Sequence, residues 1–135
     1  MFDDTLADTI PPGHASHLAF PSDMAWSPTR FPGIAIKLLF KDSRSGMFTA
    51  LFRWEPGSVL PDHEHVEIEQ TYVLEGSLVD EEGEVTAGNF AARPAGSRHV
   101  AHSPNGAVIL AFFLEPNRFF NVDGSEELFS TAAAS

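Results

Sequence analysis

The strongest fold signal in this 135-residue chain is the stretch Gly57-Ser-Val-Leu-Pro-Asp-His-Glu-His-Val-Glu-Ile-Glu-Gln-Thr-Tyr-Val-Leu-Glu-Gly76. His63 and His65 stand two residues apart, so on a β-strand both side chains project to the same face, with their Cα atoms roughly 6–7 Å apart. Two imidazoles at this spacing can chelate one ion. Glu69 has an even offset from both histidines and can return to the same face, which predicts a metal site with mixed nitrogen and oxygen ligands.

A second block, Gly88-Asn-Phe-Ala-Ala-Arg-Pro-Ala-Gly-Ser-Arg-His99, supplies a third imidazole. Its proline and glycine favour a tight turn that would aim His99. His102 follows His99 by three residues, which places it on the opposite face of a regular strand and favours a structural role. Glu67 is an alternative carboxylate ligand with a poorer spacing than Glu69.

The two blocks resemble the two motifs of the cupin superfamily. The first motif is a glycine, five residues, His-x-His, three or four residues, a glutamate, six residues and a glycine, and every fixed position is matched, by Gly57, His63, His65, Glu69 and Gly76. The second motif is matched by Gly88, Pro94, Gly96 and His99, while Ser103 replaces its final asparagine. The resemblance implies an all-β cupin fold, a double-stranded β-helix or jelly-roll barrel of antiparallel strands.

Within the superfamily, residues 72–99 resemble small cupins of the acetylacetone-dioxygenase kind and the zinc-binding cupin domain of ChrR-type anti-sigma factors. The first resemblance implies ferrous iron held by His63, His65 and His99. The second implies Glu69 as a fourth, acidic ligand; a second-shell role for this carboxylate is the alternative. Together they imply one divalent metal ion per chain, and Fe²⁺, Zn²⁺, Mn²⁺, Ni²⁺ and Co²⁺ all suit such ligands.

Two functions follow from these resemblances. The first is a non-haem metal-dependent dioxygenase that acts on a small enolisable dicarbonyl or phenolic compound. The second is a non-catalytic cupin that senses a metal or small-molecule ligand, as in the anti-sigma factors. The 22-residue cysteine-free start of the chain cannot be the separate zinc domain through which those regulators bind their sigma factor, which favours the enzyme.

Composition excludes several other classes. Eight Lys and Arg against 19 Asp and Glu give a formal charge of −11, which disfavours binding to nucleic acids and to anionic membranes. The absence of cysteine excludes disulfides, thiolate zinc sites and thiol catalysis. The start of the chain shows no signal peptide and the sequence no membrane span, so we expect a cytoplasmic protein.

Glycines and prolines divide the chain into short apolar segments, which is typical of a barrel or sandwich of short strands. The predicted strands are 34–40, 47–54, 58–63, 70–74, 78–79, 84–87, 90–93, 99–102 and 108–115. We expect an N-terminal arm at 1–22, a barrel at 23–118 and a C-terminal tail at 119–135, with one helical turn at Ser125 to Phe129. Edges left by such strands can be covered by the arm of a second subunit, which predicts a homodimer.

Three further expectations concern side chains outside the metal site. The rings of Phe48, Phe52, Phe90, Phe112 and Phe113 are assigned by default to the barrel core. Arg53, Arg93 and Arg98 are expected to be ion-paired surface residues in so acidic a chain, although they could recognise an anionic substrate. Residues 80–84 are expected to form a solvated acidic turn.

Overall fold

A computed structural model describes Thr9 and residues 13–129 of the chain. In this described part, a 3₁₀ turn at Pro21–Asp23 precedes eleven strands. The strands are β1 (Ser27–Pro28), β2 (Ile34–Asp42), β3 (Met47–Trp54), β4 (Ser58–Glu64), β5 (Glu69–Asp80), β6 (Gly83–Thr86), β7 (Phe90–Arg93), β8 (Arg98–Ser103), β9 (Ala107–Phe113), β10 (Arg118–Phe120) and β11 (Glu126–Leu128). The described residues contain no helix that is long and apolar enough to cross a membrane.

All strand pairs are antiparallel, in the order β1-β2-β3-β9-β5-β8-β4-β10-β11, with β6 and β7 also paired to β5. The first half of β5 joins the layer that contains β2, β3, β7 and β9. Its second half joins the layer that contains β4, β6, β8 and β10. The sheet therefore curls into two layers, and the predicted all-β barrel of antiparallel strands is confirmed.

The core lies between these layers because buried and less buried residues alternate strictly along β3 and β9. The stacked rings of Phe48 and Phe113, 4.5 Å apart, mark its centre. Phe52 is also buried, as expected. Phe90 is 54% exposed and Phe112 only half-buried, so their assignment to the core is wrong. Strand parity turns both of these rings to the outer face.

The predicted segments 70–74 and 78–79 are parts of one strand, β5, rather than two. Its pairing with β9 shifts register between Val73 and Glu75, and Gly76 follows at φ +71°. A β-carbon at Gly76 would lie 1.9 Å from the carbonyl oxygen of Gly106. Glycine is thus required where β5 passes from one layer to the other, and it allows the strand to bend without ending.

The C-terminal region differs most from expectation. Residues 126–128 form strand β11 rather than a helical turn, because a turn at Asn121–Ser125 pairs them with β10. β10 in turn pairs with β4, and Phe119 is only 2% exposed. The barrel sheet therefore continues beyond residue 118. The expectations for residues 1–8, 10–12 and 130–135 fall outside the described part of the chain.

Candidate metal centre

The three predicted histidines converge inside the barrel. His63 on β4 pairs directly with His99 on β8, so the ladder places their side chains next to each other. His63 and His65 are each 1% exposed. The ring centroids lie 4.5 Å apart for His63 and His99, 4.8 Å for His65 and His99 and 5.1 Å for His63 and His65. One donor atom from each ring lies within 4.8 Å of the other two.

His65 lies just beyond the end of β4, where the turn at 94–97 holds its backbone. The His65 amide donates to the Ser97 carbonyl at 2.8 Å, and the Gly96 amide donates to the His65 carbonyl at 2.7 Å. Strand β8 starts directly after this turn and carries His99. The turn that Pro94 and Gly96 predict therefore positions two imidazoles. It holds the backbone of His65 by hydrogen bonds, and the strand that begins after it carries His99.

Hydrogen bonds set the tautomers of His63 and His99. Nδ1 of His63 lies 2.7 Å from the carbonyl oxygen of Pro61, and Nδ1 of His99 lies 2.6 Å from Oδ2 of Asp80. A carbonyl and a carboxylate only accept, so each Nδ1 carries the proton. In the neutral rings, Nε2 therefore keeps its lone pair.

His65 reaches the same state through a serine. Its Nδ1 lies 2.8 Å from Oγ of Ser97, whose own hydroxyl hydrogen is donated to the Pro94 carbonyl at 2.7 Å. The serine oxygen must then accept from Nδ1. Among the described residues Nε2 of His65 has no hydrogen-bond donor, and with Nδ1 protonated it has no hydrogen to give to Oε1 of Glu69, 3.1 Å away.

These three rings fit a divalent metal ion. Each has an Nδ1 proton bound to an acceptor and an Nε2 lone pair left for the centre of the cluster, which is the arrangement that orients imidazole ligands in metalloproteins. A buried, unpartnered Nε2 would otherwise cost about 1–3 kcal/mol, so a metal would relieve a defect in the bare site. Imidazole suits Fe²⁺, Co²⁺, Ni²⁺ and Zn²⁺ alike.

Glu69 stands beside this cluster but does not belong to the group of three donors. Oε2 accepts from Oγ1 of Thr71 at 2.9 Å, and Oε1 accepts from Nδ2 of Asn117 at 3.2 Å. Burial raises the pKa of the carboxyl, but the His65 and His63 imidazoles, when they carry a second proton, and the Asn117 amide outweigh it and hold the pKa below its usual value. An ionised carboxylate is thus held next to His65. Glu67 is exposed.

Glu69→Gln should weaken metal affinity by about 10–100-fold, as loss of an acidic ligand or its outer-shell partner does. Glu67→Gln should leave affinity unchanged, since its side chain points to solvent. Competition with a fluorescent chelator measures both affinities. A larger effect of Glu67→Gln than of Glu69→Gln would show that the wrong carboxylate has been identified.

Asp80 is the main functional residue that the sequence did not reveal. Its side chain is 1% exposed and bonds both His99 and Nη1 of Arg93, the latter at 3.2 Å. The expectation of a solvated turn is therefore wrong for Asp80, although Glu82 remains exposed. The contact of Asp80 with His99 depends on the pairing of β5 with β8, which residue spacing does not supply. His102, by contrast, lies outside the donor cluster, as expected.

A small cavity adjoins the cluster. His63, His99 and Glu69 form part of its wall, together with apolar side chains that include Trp54 and Ile109. The centres of water molecules can occupy about 40 Å³ of this cavity, so it has room for about three waters. A ligand of few atoms could therefore approach the ion beside the imidazoles.

Metal-free protein should lose stability as the pH falls below neutral. Burial, with a smaller contribution from neighbouring His99, lowers the pKa of His63 to about 4, against about 6.5 in the unfolded chain. Between these values only the unfolded state takes up the proton, so the free energy of unfolding falls by about 2 kcal/mol from pH 7 to pH 5. Urea denaturation of chelator-treated protein measures this change. His63→Gln should show a correspondingly smaller pH dependence, and equal dependences would contradict the assignment.

Comparison with known proteins identifies the family and the fold. The family model of the ChrR cupin-like domain matches residues 14–117. No curated protein sequence matches the chain significantly. A proposed acetylacetone dioxygenase from Methylibium petroleiphilum PM1 has a similar structure, with 23% identity, a TM-score of 0.77 and coverage of 89% of this chain and 91% of that one.

Two other solved structures bear on the fold. An acetylacetone dioxygenase from Acinetobacter johnsonii is 20% identical, with a TM-score of 0.76 and coverage of 93% of this chain and 94% of that one. The anti-sigma factor ChrR of Rhodobacter sphaeroides, in complex with SigE, is 25% identical, with a TM-score of 0.60 over 67% of this chain and 50% of that one. These structures establish the RmlC-like cupin fold, and the matched family model shows that the chain belongs to the ChrR cupin-like domain family.

Proposed function

We propose that the chain is a non-haem metal-dependent dioxygenase that acts on a small enolisable dicarbonyl or phenolic compound. The observation that carries this proposal is the convergence of three imidazole donor atoms, two of whose rings, His63 and His99, also line a cavity. Three protein ligands leave coordination positions for a substrate, whereas a structural site would be closed. The similarity to acetylacetone dioxygenases over nearly the whole chain supports the same choice.

His63, His65 and His99 would hold the ion through Nε2, while Pro61, Ser97 and Asp80 keep their Nδ1 protons in place. When bound, Fe²⁺ would polarise the substrate oxygens and could exchange an electron with dioxygen, which Zn²⁺ cannot do. The barrel wall excludes bulk water from this reaction because His63 and His65 are almost fully buried.

Glu69 is the base in this proposal. Its lowered pKa keeps the carboxylate ionised at neutral pH. Thr71 and Asn117 fix its two oxygens by one hydrogen bond each, which leaves lone pairs free to accept a proton. The carboxylate would take the proton from the carbon between two carbonyl groups, or from a phenol hydroxyl, as the substrate enters the cavity.

The charges around the cavity favour an uncharged substrate. Arg93 lines the cavity, but its guanidinium pairs with Asp80 at 3.2 Å and with Glu82 at 3.3 Å. Arg98 likewise forms an ion pair with Asp62 at 2.6 Å. The expected ion pairing of these arginines is therefore confirmed, and Arg93 is already neutralised where an anionic substrate would need it. The small size of the cavity favours a small molecule as substrate.

Oxygen uptake by reconstituted protein tests the proposal. Fe²⁺-loaded protein should consume dioxygen in the presence of at least one member of a panel of 1,3-diketones, phenols and acyl compounds, while Zn²⁺-loaded protein should not. His99→Ala removes one ligand and should reduce the rate by at least about 100-fold, in line with the loss of other essential active-site groups. Absence of uptake with every member of the panel would overturn the enzyme assignment.

A metal- or ligand-sensing protein is the second candidate. Two observations favour it, namely the ChrR family match and the ionised Glu69 beside His65, which as a fourth ligand would leave less room for substrate and dioxygen. If the chain is a sensor, it should bind a partner protein in a metal-dependent way and should not turn over a substrate. Tight binding of a sigma factor in a pull-down, together with no oxygen uptake, would support this second function.

A further inference from the structure

Glu69 also lines a second cavity, on whose wall aromatic side chains predominate. Its lining includes Phe31, Phe52, Phe113, Phe119 and Phe129, and it shares Trp54, Leu60, Glu69 and Ile109 with the cavity beside the histidines. The metal ligands themselves do not line it. It therefore adjoins the metal cavity along these four shared residues, without contact with the histidines.

Two residues of its wall have a buried polar atom without a hydrogen-bond partner in the described part of the chain. Trp54 is 5% exposed, and its Nε1 donor is unpaired; Asn117 is 4% exposed, and its Oδ1 acceptor is unpaired. The other end of the Asn117 amide is occupied, since Nδ2 donates to Glu69. A buried unpaired group costs about as much as a lost hydrogen bond, so one donor and one acceptor are available to an occupant.

Water satisfies these groups poorly. The cavity offers about 40 Å³ to the centres of water-sized molecules, room for about three waters. Each buried water needs two to four polar partners, and aromatic rings form most of the wall. A hydroxyl group can both accept from an indole N–H and donate to an amide oxygen, and a short carbon chain on it would suit the apolar remainder of the wall.

We propose that this cavity is a second binding site, distinct from the metal centre, for a small uncharged molecule with one hydroxyl group, of the size of a short-chain alcohol. The hydroxyl pairs with Trp54 and Asn117, and the carbon chain packs against the phenylalanine rings. Because Glu69 lines both cavities, an occupant of this site also lies next to Glu69.

The test uses the full-length ¹⁵N-labelled protein with 1-propanol as the probe. The chain has two tryptophans, and Trp26→Phe identifies which indole N–H resonance belongs to Trp54. The Trp54 resonance should move along a saturating curve at millimolar 1-propanol, while that of Trp26 stays in place. Ethyl methyl ether, an isomer that accepts but does not donate, should bind about tenfold more weakly because it leaves Asn117 unpaired.

Asn117→Leu provides the matched comparison. It retains the Trp54 reporter and removes the acceptor, so 1-propanol and the ether should bind the variant equally. The wild-type comparison stands on its own if the variant does not fold. A linear or absent Trp54 response, equal binding of the two isomers by the wild type, or a crystal structure of propanol-soaked protein with only ordered water in the cavity would overturn the proposal. None of these readouts depends on metal or dioxygen, so their failure is distinct from failure of the dioxygenase proposal.

Discussion

Replacing His63 and His99 together by alanine should abolish metal binding. Wild-type protein reconstituted with Fe²⁺ or Zn²⁺ and then dialysed should retain about one ion per chain, and the double variant almost none. The reason is that His63 and His99 supply two of the three Nε2 lone pairs, and one remaining imidazole cannot chelate. Elemental analysis of the dialysed proteins measures the metal content.

His102→Ala is the matched control for this experiment. His102 lies on β8, three residues after His99, but it does not belong to the donor cluster. The metal content of this variant should therefore equal that of the wild type. Equal metal content in the wild type and the double variant would show that the metal binds elsewhere, and loss of metal in the His102 variant would assign it a role that the geometry does not.

Gly76→Ala should destabilise the fold by about 4 kcal/mol or more, a size reserved for severe steric or packing defects. The added methyl group would lie 1.9 Å from the Gly106 carbonyl oxygen, in a backbone conformation with φ +71° that alanine rarely adopts. Since backbone forms the obstacle, rotation of a side chain cannot relieve it. Urea denaturation monitored by circular dichroism measures the loss.

Gly88→Ala separates the steric clash from backbone strain. Gly88 has φ +85°, but a β-carbon there would meet nothing within 4 Å. Only the left-handed conformation is then penalised, at about 1–2 kcal/mol. Similar losses for the two variants would contradict the close approach of β5 to Gly106.

Much of the fold could be predicted because local signals and barrel packing agree. The strand Met47–Trp54 was predicted with its correct ends, since its alternating residues face either the core or the outside. Strand β11 could not be predicted in the same way. The segment is short and polar, and its conformation depends on pairing with β10 after a turn that residue types alone do not fix.

In the candidate site, too, local sequence patterns predict some residues, and strand pairing brings in others. His63, His65 and His99 were predicted by their spacing, and the structure brings their donor atoms within 4.8 Å. Asp80, by contrast, lies 19 residues before His99, and Ser97 lies 32 residues after His65. These partners are brought to the imidazoles by strand pairing and by the turn before β8, so the motif predicts the ligands but not the groups that hold their protons.

Paramagnetic NMR of the Co²⁺-loaded protein tests the central claim most directly, namely that three histidines bind one ion through Nε2. Each such ligand retains its Nδ1 proton, held by Pro61, Ser97 or Asp80, and should give one strongly shifted resonance that disappears in D₂O. The account predicts three exchangeable resonances of this kind. Fewer than three, or coordination through Nδ1 with the exchangeable signals absent, would contradict it.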